Sequence, residues 1–168
     1  RNRLILSTFS FISLVAVVSD THGIVLPVAY SLQRNKVDIV LHLGDDVDDS
    51  RKIEQITGME VYAVRGNNDI NENDTPEDLV LEIRRKKFFL THGHNYDVDN
   101  GIEKIVEKAK ELGVDYALFG HTHVHLRERI DGITILNPGS TTLPRHGDTK
   151  GYYIVNLIEK SVNRINLK

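Results

Sequence analysis

Val17-Val18-Ser19-Asp20-Thr21-His22-Gly23 is an apolar run that ends in a carboxylate and an imidazole two residues apart. The run is typical of a buried strand, and in an extended segment residues i and i+2 point to the same side. We therefore expect Asp20 and His22 to converge on one ion at the carboxyl end of this strand, the edge where open α/β sheets bind ligands. Taken alone, such residues are more often turn formers or helix caps.

The same order of apolar strand and polar donor recurs in the first half of the chain. Two further strands are predicted, Val37 to Leu43 before Gly44-Asp45-Asp46, and Glu60 to Val64 before Arg65-Gly66-Asn67-Asn68-Asp69. Helices are predicted between the strands, at Ile24 to Asn35, which has Pro27 near its start, and at Ser50 to Thr57. This alternation predicts an α/β fold with parallel strands.

Histidines follow the strands of the second half. The predicted elements are a hairpin of Leu79 to Ile83 and Phe88 to Thr91 before His92-Gly93-His94, a helix from Gly101 to Leu112, and a strand from Tyr116 to Phe119 before Gly120-His121-Thr122-His123. The remainder is β-rich, with Asp131-Gly132 as the turn of a second hairpin. His42 lies within a strand, where a hydrogen-bonded core histidine is favoured over a metal ligand.

Composition narrows the class of protein and the kind of site. With 168 residues, 40% of them hydrophobic, the chain is long enough for a full core, and we expect one domain over residues 1–168. The formal charge of −3 predicts neither an extended nucleic-acid-binding surface nor a membrane partner. Formation of a homo-oligomer remains open. Because cysteine is absent, any metal must be held by His, Asp, Glu or Asn.

The apolar stretch Leu4 to Val18 follows Arg1 and Arg3, an arrangement also found in signal peptides. The stretch is shorter than the roughly 20 residues that span a bilayer, and cleavage after it would leave Asp20 at a bare terminus. We therefore expect a first strand with an extended N-terminal arm, in a cytoplasmic protein.

Oxygen or imidazole donors thus follow five predicted strands: Asp20 and His22, Asp45, Asn67, His92, and His121 with His123. In this order and spacing, Asp-x-His, Gly-Asp, Gly-Asn, His-Gly-His and Gly-His-x-His resemble the calcineurin-like metallophosphoesterases, with the small bacterial and archaeal phosphodiesterase branch most similar. The match runs from Asp20 to about Arg145 and includes Asn137-Pro138-Gly139-Ser140. The resemblance implies a four-layer α-β-β-α sandwich of the α/β class, with two mixed sheets flanked by helices and the metal site at the C-terminal strand edges.

The resemblance also implies a dinuclear site. One metal is bound by Asp20, His22, Asp45 and His123, and the second by Asn67, His92 and His121, with Asp45 bridging the two. Two divalent ions and two carboxylates leave about +2 for hydroxide and phosphate, and a water that bridges ions about 3.5–4 Å apart loses its proton near neutral pH and attacks phosphorus in line. The expected catalytic residues are Asp45, Asn67 and His94.

Mixed nitrogen and oxygen donors suit two divalent ions of Mn, Fe, Co, Ni or Zn better than Ca or Mg, and the resemblance favours manganese or nickel. The leading prediction is therefore a phosphodiesterase acting on a small or activated small-molecule phosphodiester through a metal-bridging hydroxide. One alternative is a non-catalytic interaction scaffold, because the eukaryotic retromer scaffold subunit resembles the same fold. The other is a phosphomonoesterase, which ranks lower because no Arg accompanies the metal motifs.

Asn68 departs from many larger relatives, which place a histidine there to protonate the leaving group. An amide does not titrate, so the general acid is missing. His94 is the nearest spare imidazole, and it is expected either to reach the substrate or to hydrogen-bond behind the metal ligands. Asp46 and Asp69 follow glycine-containing turns, where a structural role is favoured.

Overall fold

The computed structural model describes residues 3–6 and 11–168, which build two sheets with helices on both outer faces. The strands are β1 (Arg3–Leu6), β2 (Leu14–Val18), β3 (Ile39–His42), β4 (Glu60–Ala63), β5 (Asp78–Ile83), β6 (Lys86–Thr91), β7 (Tyr116–Leu118), β8 (Leu126–Ile130), β9 (Ile133–Asn137), β10 (Gly151–Asn156) and β11 (Ser161–Asn166). The helices are α1 (Leu26–Arg34), α2 (Val47–Thr57) and α3 (Glu103–Leu112), with a 3₁₀ turn at Val98–Asn100.

The five-stranded sheet has the order β11-β10-β2-β3-β4 and contains the stretch from which the sequence was interpreted. β2 is buried and β-branched, and it runs parallel to β3, which runs parallel to β4. One face of β2 packs Val18 against Leu32 of α1 and Ile53 of α2. The predicted parallel βαβαβ unit is confirmed.

The six-stranded sheet has the order β1-β5-β6-β7-β9-β8, and α3 covers its outer face through Ile105 and Ala109. Both predicted hairpins are present, β5–β6 and β8–β9. Asp131 and Gly132 turn the second one with φ of 50° and 83°, the left-handed geometry that suits the twist of a hairpin. The first turns at Arg84-Arg85, two residues shorter than the basic run suggested, and Lys86 and Lys87 belong to β6.

The two sheets face each other across one apolar layer, in which Val15 and Leu41 of the first sheet meet Phe88 and Leu136 of the second. Each fully buried aliphatic or aromatic side chain of this kind contributes about 1.5–3 kcal/mol. The order of layers is therefore helices, sheet, sheet, helix, which confirms the predicted α-β-β-α sandwich.

The N-terminal prediction is partly wrong. Residues 3–6 are not an arm of β2 but the separate strand β1, which pairs in parallel with β5 in the other sheet. A count of apolar residues does not show which sheet a strand joins, because strands of both sheets bury apolar side chains. Residues 7–10 of the predicted stretch lie outside the described residues. Within the described part of the chain, no helix has the length and apolar character to cross a membrane.

Candidate metal centre

The carboxyl ends of β2, β3 and β4 in one sheet meet those of β6 and β7 in the other at a common rim. The loops after these strands carry the predicted donors Asp20, His22, Asp45, Asn67, His92, His121 and His123. We call this arrangement the metal rim. Donors separated by up to about a hundred positions in the chain come within hydrogen-bond distance of each other here, for example His22 Nε2 and His123 Nε2 at 3.3 Å.

Left-handed backbone, rather than an extended segment, brings Asp20 and His22 together. β2 ends at Val18, and Asp20 and His22 have φ of +56° and +47°. Asp45, His121 and His123 also have positive φ, between +46° and +72°. Such conformations are uncommon for residues other than glycine and concentrate at functional sites. The expected convergence is present, but the extended geometry proposed for it is wrong.

The first cluster of donors consists of Asp20, His22 and His123. Asp20 Oδ1 lies 3.2 Å from His123 Nε2 and 3.8 Å from His22 Nε2. His123 Nδ1 donates to the carbonyl oxygen of Leu143 at 2.6 Å, which fixes the tautomer and leaves the Nε2 lone pair facing Asp20.

The second cluster consists of Asp20, Asp45 and His92. His92 Nε2 lies 3.5 Å from Asp45 Oδ2 and 3.8 Å from Asp20 Oδ1, and its Nδ1 donates to the carbonyl oxygen of Leu43 at 2.7 Å. His92 Nε2 and Asp20 Oδ1 are both buried without a hydrogen bond to any described residue. Buried polar atoms rarely lack partners, and an acceptor pair of this kind suits a cation. The donor set therefore fits a divalent metal.

Asn67 and His121 stand beside the second cluster. His121 Nδ1 lies 3.2 Å from Asn67 Oδ1, and the rings of His121 and His92 have centroids 5.2 Å apart. On its other side, His121 Nε2 lies 3.1 Å from Asp99 Oδ2, which orients the ring. The structure thus brings all seven predicted donors to one rim. Their division into two ions bridged by Asp45 stays a prediction.

Steric contacts at Gly66 and Gly120 explain why glycine precedes the donors Asn67 and His121. A Cβ on Gly66 would collide with Asp45 Oδ1, and a Cβ on Gly120 would collide with Ser19 Oγ and lie 2.8 Å from Asp20 Oδ2. The loops after β4 and β7 can therefore approach the two carboxylates only without a side chain at these positions.

The ionisable side chains at the metal rim shift each other's pKa values. Burial alone would raise the pKa of the Asp20 carboxyl, but the imidazoles of His123 and His22 beside it hold that pKa well below its usual range. Asp20 in turn raises the pKa of His22. The rim therefore holds an ionised Asp20 among nitrogen donors, which is the electrostatic setting that a cation requires.

Asp46 and Asp69 have the structural roles predicted for them. Asp69 accepts hydrogen bonds from the backbone N–H groups of Gly66, Asp45 and Val47 at 2.7–2.9 Å, which ties the loop after β3 to the loop after β4. Asp46 caps α2 by accepting from Asp48 N at 3.0 Å, and α2 accordingly begins three residues earlier than predicted.

A chain of buried hydrogen bonds lies beneath the metal rim. Gly44 N–H donates to His42 Nδ1 at 3.1 Å, so the ring proton is on Nε2, which lies 3.1 Å from Thr21 Oγ1. Thr21 Oγ1 donates to Asp49 Oδ2 at 2.6 Å, and Gly23 N–H donates to the same oxygen at 2.7 Å. Burial lowers the pKa of His42 to about 4. The prediction of a hydrogen-bonded core histidine is confirmed.

Asn68 and His94 lie next to the donors without belonging to either cluster. Asn68 Nδ2 donates to Asp45 Oδ2 at 2.7 Å and its backbone N–H donates to Asp45 Oδ1 at 3.1 Å. His94 Nε2 lies 3.2 Å from Glu77 Oε2, and its ring is 5.5 Å from that of His92. Burial, followed by the charge of His92, lowers the pKa of His94.

Side chains at the end of β9 and in the loop after it support the rim. Ser140 Oγ donates to the Asp20 carbonyl oxygen at 2.7 Å, and Asn137 Nδ2 donates to the Gly120 carbonyl oxygen at 3.1 Å. These contacts, together with those of Asp49 and Asp99, were missed at the sequence level. They join loops that are distant in the chain, and no local spacing marks them.

Three comparisons agree on the family. The family model described as "Calcineurin-like phosphoesterase superfamily domain" matches residues 14–160. The probable metallophosphoesterase YsnB of Bacillus subtilis is 34% identical over 146 residues, which cover 85% of this chain and 83% of that protein. A phosphodiesterase of Methanocaldococcus jannaschii is 29% identical over 144 residues, covering 74% of this chain and 82% of that protein.

Solved structures extend the likeness to the fold. A predicted phosphoesterase of Streptococcus pneumoniae has a TM-score of 0.79 at 32% identity, covering 92% of this chain and 89% of that chain. The Vps29 protein of Entamoeba histolytica, crystallised in complex with zinc, has a TM-score of 0.73 at 24% identity, covering 91% of this chain and 98% of that chain. At that identity the second likeness shows the fold alone.

Proposed function

The chain belongs to the calcineurin-like phosphoesterase superfamily, and from this premise we propose that it is a metal-dependent phosphodiesterase acting on small or activated phosphodiesters. One observation carries the proposal. Seven nitrogen and oxygen donors lie at one rim, where Asp20 Oδ1 and His92 Nε2 are buried without a hydrogen bond to any described residue. Relatives named metallophosphoesterases and phosphodiesterases support a hydrolase of phosphoric esters.

We propose that the seven donors hold two divalent transition-metal ions. Asp20, His22, Asp45 and His123 would hold one, and Asn67, His92 and His121 the other, with Asp45 shared. The tautomers support this assignment, since Leu43 and Leu143 occupy the Nδ1 atoms of His92 and His123 and leave each Nε2 free as a ligand. When bound, such ions supply a Lewis acid for the phosphate oxygens and an activated water. Manganese and nickel are the first metals to test.

The protein groups around the ions would position and orient the substrate. Asn67 presents its amide toward His121 and could face a substrate oxygen, and His94 stands beside His92 with Nε2 turned toward Glu77. Asn68 is held against Asp45 by two hydrogen bonds, so it offers the leaving group a neutral amide and no acidic proton. Departure of the leaving group would then depend on its own acidity.

The surroundings favour diesters over monoesters. An open cavity of about 450 Å³ beside His22 and Asp45 is lined by Asp46, Asp69 and Glu72, and none of its described lining residues is an arginine or a lysine. A phosphomonoester carries a second negative charge, which the carboxylates of Asp46 and Asp69 would repel. Glu72 adds less to this repulsion, because it is paired with Arg51 at 2.7 Å. A diester carries a single charge.

The test is hydrolysis of bis(p-nitrophenyl) phosphate and p-nitrophenyl phosphate by protein reconstituted with Mn²⁺ or Ni²⁺, with bound metal measured in parallel. Asp20→Asn should lose both metal and activity, whereas Asp48→Asn, the same charge change at an exposed position on α2, should lose neither. Metal binding without diester hydrolysis would refute the proposed phosphodiesterase activity. Protein that binds no metal would favour the scaffold, and a preference for the monoester would favour a phosphatase.

A further inference from the structure

A second polar cavity lies at the end of the sandwich opposite the metal rim. It has a volume of about 400 Å³ and is lined by Lys86, Tyr116, Arg127, Glu128, Arg129, Thr134, Lys160 and Val162. Lys86 and Tyr116 begin β6 and β7, the two strands whose other ends lead to His92 and His121. The length of β6 separates the two sites by roughly 17 Å. We call this cavity the basic pocket.

The strand register directs the arginines into the basic pocket. Arg127 and Arg129 of β8 are paired with Leu136 and Thr134 of β9. Leu136 belongs to the layer between the sheets, and side chains of paired residues share a face, so both arginines lie on the inner face at the open corner between β8 and β11.

Hydrogen bonds hold both guanidinium groups in place. Arg127 Nη1 donates to the Val162 carbonyl oxygen at 2.8 Å, and Arg129 Nη1 donates to Thr134 Oγ1 at 3.2 Å. Each guanidinium has five N–H donors, so most remain available to a ligand. A cation that is already oriented loses less conformational freedom on binding an anion.

The described carboxylates form no ion pair with these cations. Among residues 11–168, none of the ion pairs includes Lys86, Arg127, Arg129 or Lys160. Glu128 is the single acidic residue of the lining, and it is paired with Ile135, which belongs to the core on the α3 side, so its side chain lies on the opposite face. Four uncompensated positive charges therefore share one cavity in a chain whose net charge is −3.

We propose that the basic pocket is a binding site for a small multivalent phosphate anion, such as pyrophosphate or another compound carrying two or more negative phosphate oxygens. Two arginines offer paired N–H donors that match phosphate oxygens, and two lysines add point charges. Concentrating four like charges in a concave site raises the local potential for an anion well above that of the scattered surface charges. The site is separate from the metal rim and does not depend on the proposed hydrolase activity.

The test is calorimetric titration of the metal-free protein with pyrophosphate, after chelation so that the metal rim cannot recruit phosphate through an ion. We expect saturable binding of one pyrophosphate per chain below about 1 mM. Arg127→Gln with Arg129→Gln should weaken it by at least about tenfold, as should Lys86→Gln with Lys160→Gln. Lys36→Gln with Lys104→Gln, the same charge change at exposed positions elsewhere, should change affinity by less than about twofold.

Thermal unfolding of every variant shows whether it is folded, and the chemical shift of the Thr134 amide reports occupancy of the basic pocket independently of heat. A shift of that amide on titration of wild type, and its loss in both pocket variants, would support the site. Absence of saturable binding would overturn the proposal. Equal weakening by the pocket variants and by the control would also overturn it, because the effect would then come from net charge alone.

Discussion

Acidification should destabilise the protein through His42. Its Nδ1 accepts a hydrogen bond from Gly44 N–H, so a proton added to Nδ1 would face that N–H group. The ring is also fully buried, and burial lowers the pKa of His42 to about 4. The unfolded chain has the ordinary pKa of about 6.5 and takes up the proton first, so stability is present above that value and is lost between pH 6.5 and 4. Between pH 7.5 and 4.5 the loss assigned to His42 is about 2.5 kcal/mol.

The measurement is urea unfolding of metal-free protein, followed by far-ultraviolet circular dichroism, for wild type and His42→Asn at several pH values. Asparagine can still accept from Gly44 N–H but does not titrate. Wild type should be the more stable at pH 7.5, and its advantage should shrink by about 2.5 kcal/mol at pH 4.5, because groups that titrate alike in both proteins cancel in the difference. An advantage that stays constant within about 0.5 kcal/mol would refute the reasoning.

Three further outcomes are expected. Asp45→Asn should reduce the kcat/KM of metal-saturated enzyme more than Asp46→Asn, because Asp45 faces the donors of the rim whereas Asp46 caps α2; equal losses would show that the pair is misassigned. Asn68→His, with metal content checked, should accelerate alkyl phosphodiesters by up to about 10²–10⁴-fold and aryl ones little, since it restores an acidic proton; a wild-type rate independent of leaving-group pKa would contradict this. Reconstituted protein should hold about two transition-metal ions and release them below about pH 6, because protonated imidazole cannot ligate; full occupancy at pH 4 by elemental analysis would exclude a histidine-rich site.

Elements with a local cause could be predicted from the sequence. The turn at Asp131-Gly132 requires positive φ, which these residues tolerate, and α3 ends at Gly113 in the left-handed conformation. The position of β1 could not be predicted, because its partner β5 lies about 75 residues further along the chain and strand pairing at that distance depends on tertiary structure. The turn at Arg84-Arg85 was placed wrongly because neither residue is a usual turn former.

The metal rim could be predicted because each donor lies in the loop that follows a strand. His92 and His121 were identified in this way although they lie in different loops. Their supports were not, because the Leu43 carbonyl oxygen behind His92 and Asp99 beside His121 carry no sequence signal of their own. The hydrogen bonds from Asn68 to Asp45 were also missed, since side-chain orientation follows from packing rather than from residue type.

The metal rim has a mechanical consequence, because it is a seam between the two sheets. His22 follows a strand of the five-stranded sheet and His123 a strand of the six-stranded one, 101 positions apart in the chain. An ion held between them would act as a removable cross-link, and in the chain-entropy description a loop of that length corresponds to about 5 kcal/mol. Chelation would then lower the free energy of unfolding, so the loops proposed for chemistry would also contribute to the stability of the sandwich.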